Sequence, residues 1–219
     1  MTNRYVIIVA AGKGVRVGGP VPKQFLPLDG KPVLMHTIEA FRGTAKIVLV
    51  LGKDNFDYWR ELCGQYGFEA EYTLVAGGAE RFNSVKNALA AIPDDAIVGV
   101  HDGVRPFVTP SVIEDAFKTA EEQGCAVPVV DCTDSVRIVS EDGSSNAPID
   151  RSRVKLVQTP QVFRASMLKQ AYNVEFSPLF TDDASVVEHA GHKIHLTKGD
   201  VNNKKITYIN DLVNTHTSS

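Results

Sequence analysis

Val-Ala-Ala-Gly-Lys-Gly-Val-Arg at residues 9–16 follows the apolar run at residues 5–9 and precedes Pro-Lys-Gln-Phe at residues 22–25. This order predicts a first parallel strand whose carboxyl end opens into a glycine-containing loop. Glycine lets the backbone approach a ligand closely, and the amide N–H groups of such a loop can point at phosphate oxygens. Arg16 and Lys23 add positive charge beside the loop. The stretch therefore favours an α/β fold that binds a nucleoside triphosphate.

The spacing of the glycines excludes two more common phosphate-binding loops. A dinucleotide fingerprint has the pattern G-x-G-x-x-G, but the third glycine position, counted from Gly12 and Gly14, holds Val17. A P-loop places Lys and then Ser or Thr after its last glycine, whereas Gly19 precedes Pro20. The glycines alone fit an ordinary strand-to-loop turn. With the arginine and the Pro-Lys-Gln segment, however, they resemble the nucleotidyltransferases that activate sugar or polyol phosphates.

The composition bounds the class of protein. With 219 residues, 43% of them hydrophobic and 22% charged, the chain can form one α/β domain with a sizeable core. The sequence has no block of basic residues that would favour nucleic-acid binding. Because the formal net charge is -3, a polyanionic substrate must be held by local cations rather than by the overall charge of the protein. No apolar stretch reaches about 18 residues and no cleavage site follows the first one, so neither a membrane helix nor a signal peptide is predicted. Cys63, Cys125 and Cys132 lack metal-ligand spacing and favour reduced thiols in a cytoplasmic protein.

Short apolar runs alternate with helical patterns over most of the chain. After the first strand, buried strands are predicted at residues 47–51, 96–100 and 126–130, and helices at residues 32–42, 54–66, 81–91 and 110–123. This alternation predicts right-handed βαβ units and a Rossmann-like, doubly wound, mostly parallel sheet in a single domain of residues 1–219. Ligands of such sheets bind beyond the carboxyl ends of the strands. We therefore expect a site where the glycine loop and residues 101–106 meet.

Residues 131–158 interrupt the alternation. Residues 131–139 alternate partly in polarity, residues 140–146 are rich in turn formers, and a short apolar stretch follows at 154–157. The pattern predicts a β-hairpin arm inserted into the core. Because a short arm buries little surface, it is marginal alone in water. The residues by themselves leave two alternatives open: packing against a second subunit, or an exposed flap.

Five separate segments resemble one family, the 2-C-methyl-D-erythritol 4-phosphate cytidylyltransferases of the non-mevalonate isoprenoid pathway. In order, they are residues 10–16 with 22–24, 77–81 with 84–85, 101–106, 159–161 with 181–185, and 203–207. The resemblance implies a Rossmann-like nucleotide-diphospho-sugar transferase fold and a homodimer interlocked by an arm, here residues 131–158. It also implies that a phosphate oxygen of a small polyol phosphate attacks the α-phosphorus of CTP, with Mg²⁺ as cofactor and pyrophosphate as leaving group.

The resemblance assigns roles to individual residues. The expected catalytic residues are Arg16, Lys23 and Lys205. The expected CTP-binding residues are Ala10, Ala11, Gly12, Gly14, Gly77, Gly78, Ser84, Asp102 and Gly103, and Asp102 is also the candidate Mg²⁺ ligand, directly or through water. The polyol phosphate is expected to bind Arg105, Ser135, Arg151 and Thr159, with Arg151 reaching the active site of a partner subunit.

Several of these residues have a purely structural alternative. Lys23 and Lys205 could be surface charges, and Asp102 could cap a turn. Ser84 could be a helix N-cap or a packing hydroxyl, and Arg81 a helix-surface charge. Residues 181–185 predict the start of a helix, with acidic residues that complement its dipole. The six histidines form no metal set in the sequence.

The chain departs from the family pattern at three places. Ala79 stands where an acidic residue is common, and Asn202 stands near another position that is often acidic. On the arm, a substrate-binding hydroxyl can come from Thr133 or Ser135, and we favour Ser135.

Three rival functions follow from the same observations. Ribitol-5-phosphate cytidylyltransferase shares the scaffold, although Asp150-Arg151 ahead of Thr159 favours methylerythritol phosphate. A hexose 1-phosphate nucleotidyltransferase is more distant, because such enzymes usually have longer chains. A nucleotide sensor without activity would keep the fold, but the combined presence of the cations listed above argues against it.

Overall fold

A computed structural model describes residues 3–12, 21–208 and 210–213, and one central sheet dominates it. The strands are β1 (Arg4–Ala10), β2 (Pro27–Leu28), β3 (Lys31–Pro32), β4 (Lys46–Leu51), β5 (Tyr72–Ala76), β6 (Ile97–Asp102), β7 (Cys125–Asp131), β8 (Val136–Val139), β9 (Asn146–Ile149), β10 (Lys155–Val157), β11 (Gln161–Arg164) and β12 (Leu196–Lys198). The strands predicted from apolar runs are confirmed as β1, β4, β6 and β7. Their β-branched and aliphatic side chains are buried on both faces, as in parallel sheets.

The order of strands in the sheet is β10-β7-β11-β6-β1-β4-β5, and β12 also pairs with β7. The pairs of β1 with β4 and β6, and of β4 with β5, are parallel. Strand β11 runs antiparallel between β6 and β7. Strand β10 is also antiparallel to its neighbour β7. The sheet is therefore mostly parallel, as predicted, with two reversed strands that the sequence pattern did not indicate.

The helices cover both faces of the sheet. They are α1 (Val33–Ala40), α2 (Phe56–Tyr66), α3 (Arg81–Leu89), α4 (Pro110–Gln123), α5 (Ala165–Ala171), α6 (Asp183–His189) and α7 (Asn210–Val213). The four predicted helices are confirmed as α1 to α4, each within two residues of its predicted start. Residues 181–185 do start a helix, because Asp182 caps α6 by accepting the backbone N–H of Ser185 at 2.9 Å.

Two hydrophobic cores confirm the doubly wound arrangement. On one face, α1, α2 and α4 bury side chains such as Leu34, Trp59 and Phe117 against the sheet. On the other face, α3, α5 and α6 bury side chains such as Val85 and Leu168. Burial of this apolar surface at about 25 cal/mol per Å² is the main favourable term in folding, and it holds the carboxyl ends of the strands as a rigid edge.

Residues 131–158 leave the sheet and return to it. Strands β8 and β9 form a separate antiparallel pair, closed by a turn over residues 140–145. The apolar stretch at 154–157 does not pair with this hairpin, because β10 pairs with β7 instead. Ile138, Val139, Leu156 and Val157 are exposed by 60%, 59%, 50% and 44%. This part of the chain therefore carries apolar side chains that its own core does not cover.

Cys63, Cys125 and Cys132 are free thiols. Within residues 3–12, 21–208 and 210–213, no three His, Cys, Asp or Glu side chains group closely enough to hold a metal ion. Over the same residues, every helix is too short or too polar to cross a membrane.

Candidate active site

Three of the segments singled out in the sequence meet beyond the carboxyl ends of β1, β4 and β6. In the sheet register, Val9 lies opposite Asp102. The backbone N–H of Gly77 donates to the carbonyl oxygen of Leu51 at 2.8 Å, and that of Gly103 donates to Val9 at 2.9 Å. These bonds bring together the glycine loop, the Gly-Gly segment after β5 and the segment that begins at Asp102.

The start of the glycine loop is fixed by Gln24, whose side chain is buried. Its Nε2 donates to the carbonyl oxygen of Ala10 at 2.8 Å and to that of Gly12 at 3.2 Å. Lys23 immediately precedes this clamp, at the start of a 3₁₀ turn. The backbone of Lys23 therefore lies beside the loop. Sequence analysis noted Gln24 only as part of a motif and missed its role as the clamp.

Two glycines allow these segments to pack closely. A Cβ atom at Gly77 would lie 2.4 Å from the Cβ of Ala11, and one at Gly103 would lie 2.7 Å from the Cβ of Ala10. Both distances are far below the normal carbon–carbon contact of about 3.5–4.0 Å. Glycine is therefore required at both positions for the close approach of backbone to backbone.

Ser84 shapes the turn before α3. Its hydroxyl accepts the backbone N–H of Gly78 at 3.1 Å and donates to the carbonyl oxygen of Glu80 at 3.1 Å. The side chain is buried. Its bonds within the protein are therefore local, and they hold the Gly-Gly segment in place next to the glycine loop.

Asp102 is the centre of a cluster of charges at this edge. The Nζ atom of Lys205 lies 3.0 Å from its Oδ2 atom, and the Nε atom of Arg105 lies 3.3 Å from the same oxygen. The Nε atom of Arg81 lies 3.5 Å from Oδ1. The side chain of Asp102 is 10% exposed, whereas that of Lys205 is 43% exposed. A buried carboxylate thus organises three cations, of which Lys205 reaches solvent most freely.

The charges in this cluster control the protonation of Asp102. Burial alone would raise the pKa of Asp102, but the positive charges of Arg81, Lys205 and Arg105 outweigh burial and hold this pKa well below its usual range. The carboxylate is therefore ionised at neutral pH. Because its charge is permanent, Asp102 can keep the three cations in fixed positions before any ligand arrives.

Thr159 and His101 support Asp102 from behind. The backbone N–H of Asp102 donates to Thr159 Oγ1 at 3.2 Å, and Thr159 Oγ1 lies 3.0 Å from His101 Nδ1. His101 Nε2 lies 3.1 Å from the carbonyl oxygen of Arg105, which can only accept. The proton of the neutral ring is therefore on Nε2, and Nδ1 accepts from the Thr159 hydroxyl. This chain of bonds was not predicted for His101.

His101 makes stability depend on pH. Burial lowers the pKa of His101 to about 4, below the unfolded value of about 6.5. Between these values the unfolded chain binds a proton that the folded chain does not, so the free energy of unfolding should fall as the pH falls from about 6.5 to about 4, by up to about 3 kcal/mol. Urea unfolding over this range, compared with His101→Gln, measures the effect. An equal pH slope in the two proteins would contradict it.

Arg81 and Asp183 are site residues that sequence analysis missed. Arg81 was given no role, and a helix-surface charge was its structural alternative, yet its Nη1 and Nη2 atoms donate to Oδ1 and Oδ2 of Asp183 at 3.1 and 2.6 Å. The partners are 102 positions apart in sequence. The only signal in the sequence was that both lie in segments that resemble the family, and nothing paired them.

The late segment is tied to the site through Asn203 rather than Asn202. Asn202 is exposed, whereas Asn203 is fully buried. Asn203 Nδ2 donates to the carbonyl oxygen of Thr159 at 2.8 Å, and the backbone carbonyl of Asn203 accepts from Arg105 Nη1 at 2.8 Å. These bonds place Lys205 beside Asp102.

Two predicted residues are not described, and two others on the arm are not joined to this edge by the described contacts. Gly14 and Arg16 lie outside the described residues. Ser135 and Arg151 are exposed on the arm, where Arg151 Nη1 donates to the carbonyl oxygen of Thr133 at 2.7 Å. Among the described residues, no hydrogen bond or ion pair joins Arg151 to the Asp102 cluster of the same chain.

Comparison with known proteins agrees with this arrangement. The family model described as 2-C-methyl-D-erythritol 4-phosphate cytidylyltransferase matches residues 5–217. A relative with that name from Bacteroides thetaiotaomicron is 51% identical over 94% of this chain and 95% of its own. A second, from Clostridium perfringens, is 39% identical over 94% of each chain.

Solved structures show the same fold. The crystal structure of 4-diphosphocytidyl-2C-methyl-D-erythritol synthase from Anaerococcus prevotii matches with a TM-score of 0.82 and 26% identity, covering 97% of this chain and 93% of its own. That of 2-C-methyl-D-erythritol 4-phosphate cytidylyltransferase from Thermus thermophilus matches with a TM-score of 0.75 and 30% identity, covering 97% and 96%. From these matches and the site described above, the chain belongs to the 2-C-methyl-D-erythritol 4-phosphate cytidylyltransferase family.

Proposed function

We propose that this enzyme transfers CMP from CTP to 2-C-methyl-D-erythritol 4-phosphate, giving 4-diphosphocytidyl-2-C-methyl-D-erythritol and pyrophosphate. The observation that carries the proposal is the cluster of Lys205, Arg105 and Arg81 around Asp102, next to the glycine loop. The family match and the named relatives favour methylerythritol phosphate over ribitol phosphate. The cations support an enzyme rather than a nucleotide sensor, because a transferring phosphoryl group needs them.

The chemistry requires positioning and charge stabilisation rather than a base. A phosphate oxygen of the polyol phosphate forms a bond to the α-phosphorus of CTP, and the bond from that phosphorus to the bridging oxygen of pyrophosphate breaks. The attacking group is already an anion at neutral pH, so no proton has to be removed. The barrier comes from bringing two polyanions together, and fixed cations lower it.

The residues fall into four groups in this proposal. The backbone of Ala10, Ala11, Gly12 and Gly14 holds the triphosphate, and the cations Arg16, Lys23 and Lys205 stabilise the reacting phosphates. Gly77, Gly78 and Ser84 are assigned to the cytosine pocket, and the packing of Gly77 against Ala11 at the start of the glycine loop supports this assignment. Arg105 and Thr159, which both contact Asp102, are assigned to the polyol phosphate, and Asp102 and Gly103 are assigned to CTP.

Mg²⁺ is the cofactor that fits this site. An ion that arrives on a triphosphate keeps several waters and needs only one or two carboxylates. Asp102 can supply one carboxylate, directly or through water, and its low pKa keeps it ionised. When bound, Mg²⁺ neutralises charge on the phosphates.

A homodimer would complete the substrate site. The exposed apolar side chains on the arm support an interface there. Arg151 and Ser135 lie on this arm, so in a dimer they could reach the polyol phosphate of the partner subunit. A guanidinium is suited to that task because it binds phosphate with two parallel hydrogen bonds.

Free thiols at all three cysteines support a reducing, cytoplasmic location.

Charged substitutions on the arm test the dimer. The double substitution Ile138→Asp and Leu156→Asp should give a monomer. Its turnover should fall at least about tenfold, because the contact of the partner's Arg151 with the polyol phosphate is lost and a hydrogen bond to a charged group is worth about 1.5–3 kcal/mol. Light scattering and turnover measure the two effects. Leu179→Asp is the control, since Leu179 is 82% exposed outside the arm. A wild-type enzyme that is monomeric and fully active would contradict the proposal.

Close packing at Gly77 gives a second test. Gly77→Ala should lower kcat/KM for CTP about 10²-fold, because Ala11 must move and a displacement of about 1 Å can cost that much. The control is Gly64→Ala on the exposed side of α2, where an added Cβ meets nothing within 4 Å. Gly64→Ala should keep full turnover. Wild-type kcat/KM in Gly77→Ala would rule out the proposed pocket.

Label transfer tests the type of reaction. With CTP labelled at the α-phosphorus, the label should appear in the polyol product, whereas label at the γ-phosphorus should appear in pyrophosphate. Transfer of the γ-label to the polyol would contradict attack at the α-phosphorus. Binding of CTP without transfer of either label would favour the nucleotide sensor over the enzyme.

A further inference from the structure

Asp183 is a charged residue that helix α6 does not need for its own start. Asp182 already caps the helix through Ser185, and Gln161 Oε1 accepts the backbone N–H of Ala184 at 2.8 Å. Asp183 is nevertheless fully buried in the first turn. A buried carboxylate gives little net stability over an apolar side chain of similar size. Its partners, rather than the helix, therefore explain why it is there.

Asp183 holds the guanidinium of Arg81 at two points. Arg81 donates from Nη1 to Oδ1 at 3.1 Å and from Nη2 to Oδ2 at 2.6 Å. The hydroxyl of Tyr172 donates to Oδ1 at 2.7 Å and so fixes the carboxylate. A bidentate pair of this kind sets the plane of the guanidinium as well as its position.

The same guanidinium also contacts the centre of the active site. With both terminal nitrogens on Asp183, Arg81 presents only Nε to Asp102, 3.5 Å from Oδ1. The other oxygen of Asp102, Oδ2, is the one that holds Lys205 at 3.0 Å. Arg81 therefore lies between two carboxylates and meets Asp102 with its narrow edge.

We infer that Asp183 is a positioning residue: it holds Arg81 edge-on to Asp102, so that Asp102 keeps an oxygen for Lys205. Without Asp183, the terminal nitrogens of Arg81 are released and can close a bidentate pair on Asp102. Lys205 then loses its anchor beside the reacting phosphates. This inference rests on the proposed function, because it assigns Lys205 to those phosphates.

A double-mutant cycle tests the inference. Asp183→Asn and Arg81→Lys should each lower kcat about 10²-fold, the cost of a misplacement of about 1 Å. The kcat of the double variant should lie within about threefold of the kcat of the less active single variant, since both changes break the same contact. Calorimetric titration should give a Kd for CTP within about threefold of wild type in each folded variant, since CTP bound before the reaction does not depend on the position of Lys205.

The control for Arg81→Lys is Arg60→Lys, which alters an exposed pair with Asp57 on α2. It should leave kcat unchanged. If the two single effects multiply in the double variant, Asp183 and Arg81 act separately and the inference is wrong. If Asp183→Asn does not fold, the kcat of Arg81→Lys tests the inference alone. Arg81→Lys should fold because the side chain of Arg81 is 30% exposed and its charge is kept. A wild-type kcat in Arg81→Lys would overturn the inference. An inactive wild-type enzyme overturns the proposed function and the inference with it, whereas active variants of an active enzyme overturn the inference alone.

Discussion

Replacement of Lys205 by Met should lower kcat by about 10²–10³, the usual cost of removing one preorganised donor from a transition state. Lys205 is held by Asp102 at 3.0 Å but remains 43% exposed, so its Nζ can reach a phosphate next to Asp102. Because Arg81 and Arg105 still balance the charge of Asp102, the fold should be kept. We expect kcat to fall more than KM for CTP rises, since the glycine loop binds the triphosphate in the ground state.

Lys204→Met is the matched control for this prediction. Lys204 is exposed, and within the part of the chain that the structure describes it forms no ion pair. Its replacement should leave kcat within about twofold of wild type, as for most surface changes. Steady-state kinetics and thermal unfolding of both variants measure the effects. If Lys205→Met keeps the wild-type Tm and its kcat lies within about threefold of wild type, Lys205 does not stabilise the transition state.

Lys23→Met should have an effect of similar size. The backbone at Lys23 is fixed on both sides, by Pro22 before it and by the Gln24 clamp on Ala10 and Gly12 after it. A cation on so rigid a segment beside a phosphate loop is preorganised for the α-phosphate, and its loss should reduce kcat by about 10²–10³. Because the same charge attracts the triphosphate, KM for CTP should rise as well.

Two comparisons make the test of Lys23 specific. Lys118→Met changes an exposed lysine on α4 and should leave the kinetics unchanged. Thermal unfolding of Lys23→Met separates an effect on stability from an effect on turnover. A rise in KM without any fall in kcat would mean that Lys23 only binds the nucleotide and does not stabilise the transition state.

Much of the fold follows from local patterns in the sequence. The apolar runs that became β1, β4, β6 and β7 are continuous because parallel strands are buried on both faces. Once the strand directions are known, the loops at their carboxyl ends have to meet at one edge. The glycine loop and Asp102 could therefore be placed together from sequence, whereas the Gly-Gly segment was assigned to the site only through the family resemblance, because β5 before it was not predicted.

The contacts that arise from long-range packing could not be predicted in this way. Arg81 and Asp183 come from two helices on the same face of the sheet, and only the packing of α3 on α5 and α6 brings them together. The hydrogen bonds of His101 could not be predicted either, because a strand pairing brings Thr159 to it and a turn brings the carbonyl oxygen of Arg105. Periodicity reports which side of an element is buried and says nothing about which side chains will meet there.

The arm shows a different limit of sequence reasoning. The apolar stretch at 154–157 and the alternation at 131–139 suggested one hairpin, but β8 pairs with β9, and β10 joins β7. Short strands with few buried side chains have weakly specified partners. The sheet edge at β7 offered unpaired backbone groups, and pairing with it satisfies the hydrogen bonds of β10.

Release of pyrophosphate from CTP is the measurement that tests the central claim most directly. It should be run with Mg²⁺ and with 2-C-methyl-D-erythritol 4-phosphate and D-ribitol 5-phosphate in parallel. We predict rapid release with methylerythritol phosphate and release at least about 10²-fold slower with ribitol phosphate, because a misplaced attacking oxygen costs about that much. Rapid release with ribitol phosphate alone, or no release with either substrate, would contradict the account.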